Sequence, residues 1–107
     1  MYAITFDMDA QRLQEFYHAV TYTNAYADIG KTLSSFGFYR RQGSVYFADG
    51  NAKVDAVTCV LAAQELARIY PWFAPSVRDI RMLRIEDNND LLPAVEKAID
   101  MTRGNRP

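Results

Sequence analysis

The sequence predicts an α+β domain: one antiparallel four-stranded sheet with its main helices on one face. Three observations predict it. Apolar residues alternate in the opening YAITFD, helical stripes follow Asp9 and Asn51, and short strand-like runs flank Gly43 and follow Pro75. The chain has 107 residues, 50% hydrophobic and 23% charged. That length suits one domain, and the balance excludes a disordered or collagen-like chain.

Each element has its own signal. In the first strand Tyr2, Ile4 and Phe6 point one way and Ala3, Thr5 and Asp7 the other. Leu13, Phe16, Tyr17 and Val20 fit a short amphipathic helix. Tyr22, Tyr26, Ile29, Leu33 and Phe36 mark a second helical stripe, capped by Thr21 or Thr23 and ended by Gly37. One kinked helix suits the two stripes nearly as well. Two short strands flank Gly43; in the second, Val45 and Phe47 are expected beneath the helices and Ser44 and Tyr46 outside. The Asp49-Gly50-Asn51 turn introduces a long helix over 52–69, with Val54, Val57, Leu61, Leu66 and Ile69 on its stripe, stopped by Pro71. A strand over 77–86, the polar turn Asp87-Asn88-Asn89-Asp90 and a short helix carrying Leu92, Val95 and Ile99 complete the domain at residues 1–101, with a frayed tail at 102–107. The order is β-α-β-β-α-β plus a terminal helix, a ferredoxin-like βαββαβ sandwich with strand order 4-1-3-2 and one uncovered sheet face.

Composition excludes several classes of function. The lone Cys59 makes no internal disulfide, and the sequence lacks a Cys/His cluster for structural zinc. No apolar run reaches the roughly 18 residues of a membrane span, and MYAITFDMDA lacks the basic region of a secretory signal. A cytoplasmic protein without membrane association is expected. The formal net charge of −1 gives no global pull on nucleic acid. Charge is uneven, however: Arg40, Arg41, Lys53, Arg68, Arg78, Arg81 and Arg84 dominate the middle, while Glu86, Asp87, Asp90, Glu96 and Asp100 crowd the end.

Topology yields a candidate site. The first strand runs antiparallel between the third and fourth, so its end lies beside their beginnings. Side-chain alternation then gathers Asp7, Ser44, Tyr46, Asp79 and Arg81 at one edge of the uncovered face. Two carboxylates and a hydroxyl suit a hard cation, Mg²⁺ or Mn²⁺, bound at Asp7 and acting on a phosphoryl oxygen; no organic cofactor is expected. Arg40, Arg41 and Arg81 are the candidate phosphate holders. The single histidine, His18, excludes two-histidine acid–base catalysis within one protomer. Bland roles compete: Asp7 with Asp9 as a helix cap, Asp79 as one rung of a charge ladder between Arg78 and Arg81, Ser44 as a turn hydroxyl, Tyr17, Tyr22 and Tyr26 as core. Leu83 and Ile85 alternate out of phase with Ile80 and Met82, which predicts a bulge or a strand buried on both faces. Burial on both faces predicts a homodimer with the two copies of Asp7 close to the axis.

The segments MYAITFDMD, GFYRRQGSVYF and SVRDIRMLRIEDNNDL resemble the virulence-associated protein D (VapD) family, almost from end to end. RRQGSVYF is also similar to the Q-x-S-V-F signature of the small CRISPR-associated nucleases, with Tyr46 where that signature has Phe. The resemblance implies a dimeric, ferredoxin-like endoribonuclease cutting single-stranded RNA, in many cases a toxin held by a small antitoxin protein. By the same resemblance, the family's strand-one Asp, its Ser and its later Asp match Asp7, Ser44 and Asp79. The contrasting expectation is a non-catalytic dimeric scaffold that binds nucleic acid or protein.

Overall fold

In the computed structural model, residues 1–17, 23–48 and 53–104 are described. The elements are β1 (Tyr2–Met8), α1 (Ala10–Phe16), α2 (Asn24–Ser35), β2 (Tyr39–Gln42), β3 (Val45–Phe47), α3 (Ala56–Ile69), α4 (Phe73–Ser76), β4 (Val77–Arg84) and α5 (Leu92–Gly104). The four strands form one antiparallel sheet ordered β2-β3-β1-β4, which is the 4-1-3-2 order read from the other edge. The α+β, ferredoxin-like architecture is the one the sequence predicts.

The register fixes both faces. Ile4 stands opposite Tyr46 on one side and Met82 on the other, and Phe6 stands opposite Ile80. These residues face α2 and α3. Ile4, Phe6 and Met8 join Leu13, Ile29, Leu33, Phe38 and Leu66 in the core. Burying a side chain such as Leu66 contributes about 1.5–3 kcal/mol. The opposite face carries Ala3, Thr5 and Asp7, matched by Leu83, Arg81 and Asp79 on β4.

Local chemistry explains the boundaries. Asp9 caps α1, accepting a hydrogen bond from the Arg12 amide at 3.1 Å. Gly37, at φ 94°, takes the left-handed position after α2, and Gly43, at φ 51°, turns β2 into β3. The long helix starts at Ala56 rather than 52, because Asp55 and Thr58 form a reciprocal capping box there. The expected turn at 49–51 lies outside the described residues, as do His18 and Tyr22.

Two packing expectations are corrected. The buried stripe of α3 is Cys59, Ala62 and Leu66, whereas Val57, Leu61 and Ile69 are exposed. Small residues let this helix lie close against the sheet. On β3, Tyr46 is buried and Val45 and Phe47 are half-buried on the open side, the reverse of the predicted phase. All three residues of VYF are apolar or aromatic, so their alternation carries no signal; pairing with Ile4 decides the face. Trp72 and Phe73 are buried beyond α3, with Trp72 stacked on Tyr70 and edge-on to Tyr17.

Candidate functional site

The predicted residues fall into two groups on opposite faces of the sheet. Asp7 and Asp79 form a directly opposed cross-strand pair on the open face, beside the Thr5–Arg81 pair. The Arg81 Nε donates to both Asp79 carboxylate oxygens, at 3.0 and 3.2 Å. β4 makes a bulge here: Asp7 pairs with Asp79 and Met8 with Val77, leaving Arg78 as the extra residue. The bulge brings Arg78 round to Asp7, with its Nε donating to Oδ2 at 3.0 Å. That hydrogen bond and the charge behind it raise the Arg78 guanidinium above its ordinary value, and Asp9 adds to the effect. Asp7 does not cap α1; Asp9 does. Asp7 keeps 58% of its side-chain surface exposed, so its second oxygen is open to an incoming group.

Ser44 and Tyr46 do not join this pair. Both line a cavity of about 570 Å³ on the helix side, with Phe6, Thr23, Tyr26, Ala27, Gly30, Arg40 and Gly43. Tyr46 stacks on Phe6 at 5.9 Å between centroids and is only 6% exposed. Burial raises its hydroxyl pKa, and nearby Arg40 pulls the other way. The placement of Ser44 and Tyr46 on the uncovered face is therefore corrected, although Phe6, whose amide donates to the Ser44 carbonyl at 3.2 Å, is the immediate neighbour of Asp7. The two arginines also part. Arg40 lies opposite Tyr46 and lines the helix-side cavity, while Arg41, skipped by a second register shift, places its guanidinium 5.8 Å from the Phe47 ring.

A resident divalent ion finds few donors here. Among the described residues no group of three or more His, Cys, Asp or Glu side chains gathers to hold a metal. Asp7 and Asp79 are two carboxylates, each hydrogen-bonded to an arginine that supplies the countercharge an ion would bring. This donor set of one protomer does not fit an Mg²⁺ or Mn²⁺ site by itself.

Sequence reasoning missed two participants. Arg78 entered only as part of a charge ladder, since alternation sends it to the covered face and a bulge leaves no sequence mark. Gly30 had a readable signal, a glycine inside an otherwise good helix, which costs about 1 kcal/mol relative to Ala. A Cβ there would lie 2.7 Å from the Tyr46 hydroxyl oxygen, so the glycine makes room for that phenol.

No family model matches the chain. Its similarity to individual proteins is extensive. It is 53% identical over 95 residues to Endoribonuclease VapD 2 of Riemerella anatipestifer, covering 89% of this chain and 99% of that one. It is 50% identical over 96 residues to Endoribonuclease VapD homolog of Helicobacter pylori, covering 90% and 97%, and 41% identical over 98 residues to Endoribonuclease VapD of Dichelobacter nodosus, covering 92% and 100%. With identity of this level running the length of both partners, the chain belongs to the VapD family.

Proposed function

We propose that this protein is a homodimeric endoribonuclease that cuts single-stranded RNA in the cytoplasm, as the toxin of a toxin–antitoxin pair restrained by a small antitoxin protein. The observation that carries the reading is the Asp7 carboxylate, exposed on an uncovered sheet face between Arg78 and Asp79, in a chain whose relatives are named endoribonucleases. In this reading Asp7 takes the proton from the attacking ribose 2′-hydroxyl as its oxygen bonds to phosphorus, the bond to the 5′-oxygen breaks, and solvent water protonates that leaving oxygen. Arg78 and Arg81 bind the phosphate and stabilise the charge that builds on its oxygens, work for which a planar guanidinium is well suited. Asp79 holds Arg81 in place. Ser44, opposite Phe6 and accepting its amide hydrogen bond at the carbonyl, contacts the RNA from the other side of the strand.

A second copy is the partner that exposed apolar surface supports. Leu92, Val95, Ile99 and Met101 of α5 are all about half exposed or more, and Met82 and Leu83 of the edge strand are also open. Pairing through these surfaces removes them from water. No helix among the described residues is long and apolar enough to cross a membrane.

The test is end-group analysis of an unstructured RNA after incubation with wild type and Asp7→Asn, each with and without EDTA, with sedimentation to read the oligomeric state. Wild type should sediment as a dimer and cut the RNA. Asp7→Asn should cut about 10²–10⁴-fold more slowly while keeping the fold and the dimer. Cyclic-phosphate ends insensitive to EDTA identify attack by the ribose hydroxyl; 3′-hydroxyl ends lost with EDTA identify metal-activated water. Cutting by Asp7→Asn at the wild-type rate removes Asp7 from the chemistry. Binding without cutting by wild type leaves the scaffold reading.

A further inference from the structure

The helix-side cavity is built on different chemistry from the Asp7 face. It lies between α2 and the β2–β3 turn, and its volume of about 570 Å³ is in the usual range for a small-ligand pocket. One wall is aromatic: Phe6 stacks against Tyr26, with centroids 6.5 Å apart and planes at 22°, and against Tyr46. Polar side chains border it, among them Arg40, Ser44 and Tyr46. The Arg40 Nε donates to the Gly43 carbonyl at 2.9 Å, which clamps the guanidinium over the turn. Among the described residues its terminal amino groups make no hydrogen bond, and neither do the hydroxyls of Ser44 and Tyr46.

Tyr46 is the informative member. The residue is only 6% exposed, yet its hydroxyl makes no hydrogen bond among the described residues and is not sealed from solvent: it opens on the cavity. Phenylalanine would fill the same core space without presenting a polar atom to the cavity. The hydroxyl also demands a glycine at position 30, since an alanine methyl there would approach it to 2.7 Å. Two residues are thus committed to keeping one polar atom at the cavity.

We propose that this cavity binds a single ribonucleotide unit, its base against the Tyr26–Phe6 wall and its phosphate on Arg40 and Ser44, with the Tyr46 hydroxyl hydrogen-bonding the nucleotide. An arginine and a hydroxyl are a phosphate-binding pair, and an aromatic wall is the common partner of an unstacked base. The choice of a ribonucleotide as ligand rests on the reading of the chain as an RNA-cutting enzyme. A pocket of this kind holds RNA by one nucleotide while the backbone crosses the sheet edge towards Asp7.

The test titrates the four ribonucleoside 3′-monophosphates into purified full-length protein, followed by NMR shifts, with nucleosides and inorganic phosphate as the separated halves. At least one monophosphate should bind about tenfold more tightly than either half. Arg40→Ala should weaken it about tenfold and Tyr46→Phe about three- to tenfold, one charged and one neutral hydrogen bond respectively. Asp7→Asn should bind the monophosphate like wild type whether or not it still cuts RNA, so the pocket and the cutting site stand or fall separately. Equal affinity for phosphate alone, unchanged binding in Arg40→Ala, or loss of binding in Asp7→Asn with a native NMR spectrum would each overturn the proposal.

Discussion

The two faces of this sheet are made by the same strands, one residue out of step, and they have opposite character. Along β1, Ile4, Phe6 and Met8 enter the core while Thr5 and Asp7 look outward. On the covered side the cavity margin carries the neutral hydroxyls of Ser44 and Tyr46, with Arg40 reaching in from an exposed strand. The open side holds the ionised pairs Asp7–Arg78 and Asp79–Arg81, none of them deeply buried. Desolvation accounts for the division: an isolated charge is far more costly to bury than a hydroxyl, so charged chemistry stays where water can reach it. In the reading proposed above, nucleotide binding and backbone cutting fall on different sides of one strand.

That contrast can be broken or sharpened by substitution. The largest effect is expected beneath both faces. Leu66→Ala opens a void in the shared core and should cost about 2–5 kcal/mol by chemical denaturation, lowering RNA cutting and nucleotide binding together near the melting range. Gly30→Ala acts on the covered side alone. The added methyl meets the Tyr46 hydroxyl, so the strain should exceed the gain in helix propensity, with a net loss of about 1–2 kcal/mol, while any cutting of a short RNA at Asp7 persists. A cavity that still binds nucleotide normally in Gly30→Ala would show that the phenol is not its gatekeeper.

The smallest effect belongs to neither face. Asp55 caps α3, and hydrogen bonds from the Thr58 amide and hydroxyl hold its carboxyl below the usual carboxylate range. A depressed folded value means that the charged cap stabilises above the unfolded pKa of about 4 and is lost as pH falls through the folded value. Asp55→Ala should therefore lower the melting temperature by a few degrees at neutral pH, and the gap to wild type should close in acid. A constant gap across pH would assign the effect to helix propensity instead of charge.

Much of this arrangement is legible in the sequence, for reasons that also mark where legibility ends. The alternation of Tyr2 to Asp7 and the glycines at 37 and 43 are local signals, and they fix β1, the end of α2 and the β2–β3 turn. Chain order then determines the sheet, which is why Asp7 and Asp79 meet as expected. Three apolar or aromatic residues in a row on β3 carry no period, so the side of Tyr46 depends on its partner Ile4 and on space above Gly30, both distant in sequence. In α3 Val57, Leu61 and Ile69 are exposed while Cys59, Ala62 and Leu66 are buried, a stripe that size-based reading misplaces. Arg41 and Arg78 sit at register shifts, and a bulge is a property of two strands together.

The extra residue on β4 gives the molecule a separately adjustable part. Pairing is regular from Asp79 onward, and Met8 resumes it with Val77, so position 78 bears on the Asp7 carboxylate without answering to the packing underneath. Selection, or a protein engineer, can retune the pairing and reach of that carboxylate by exchanging one side chain there, and the hydrophobic interior has no vote in the outcome.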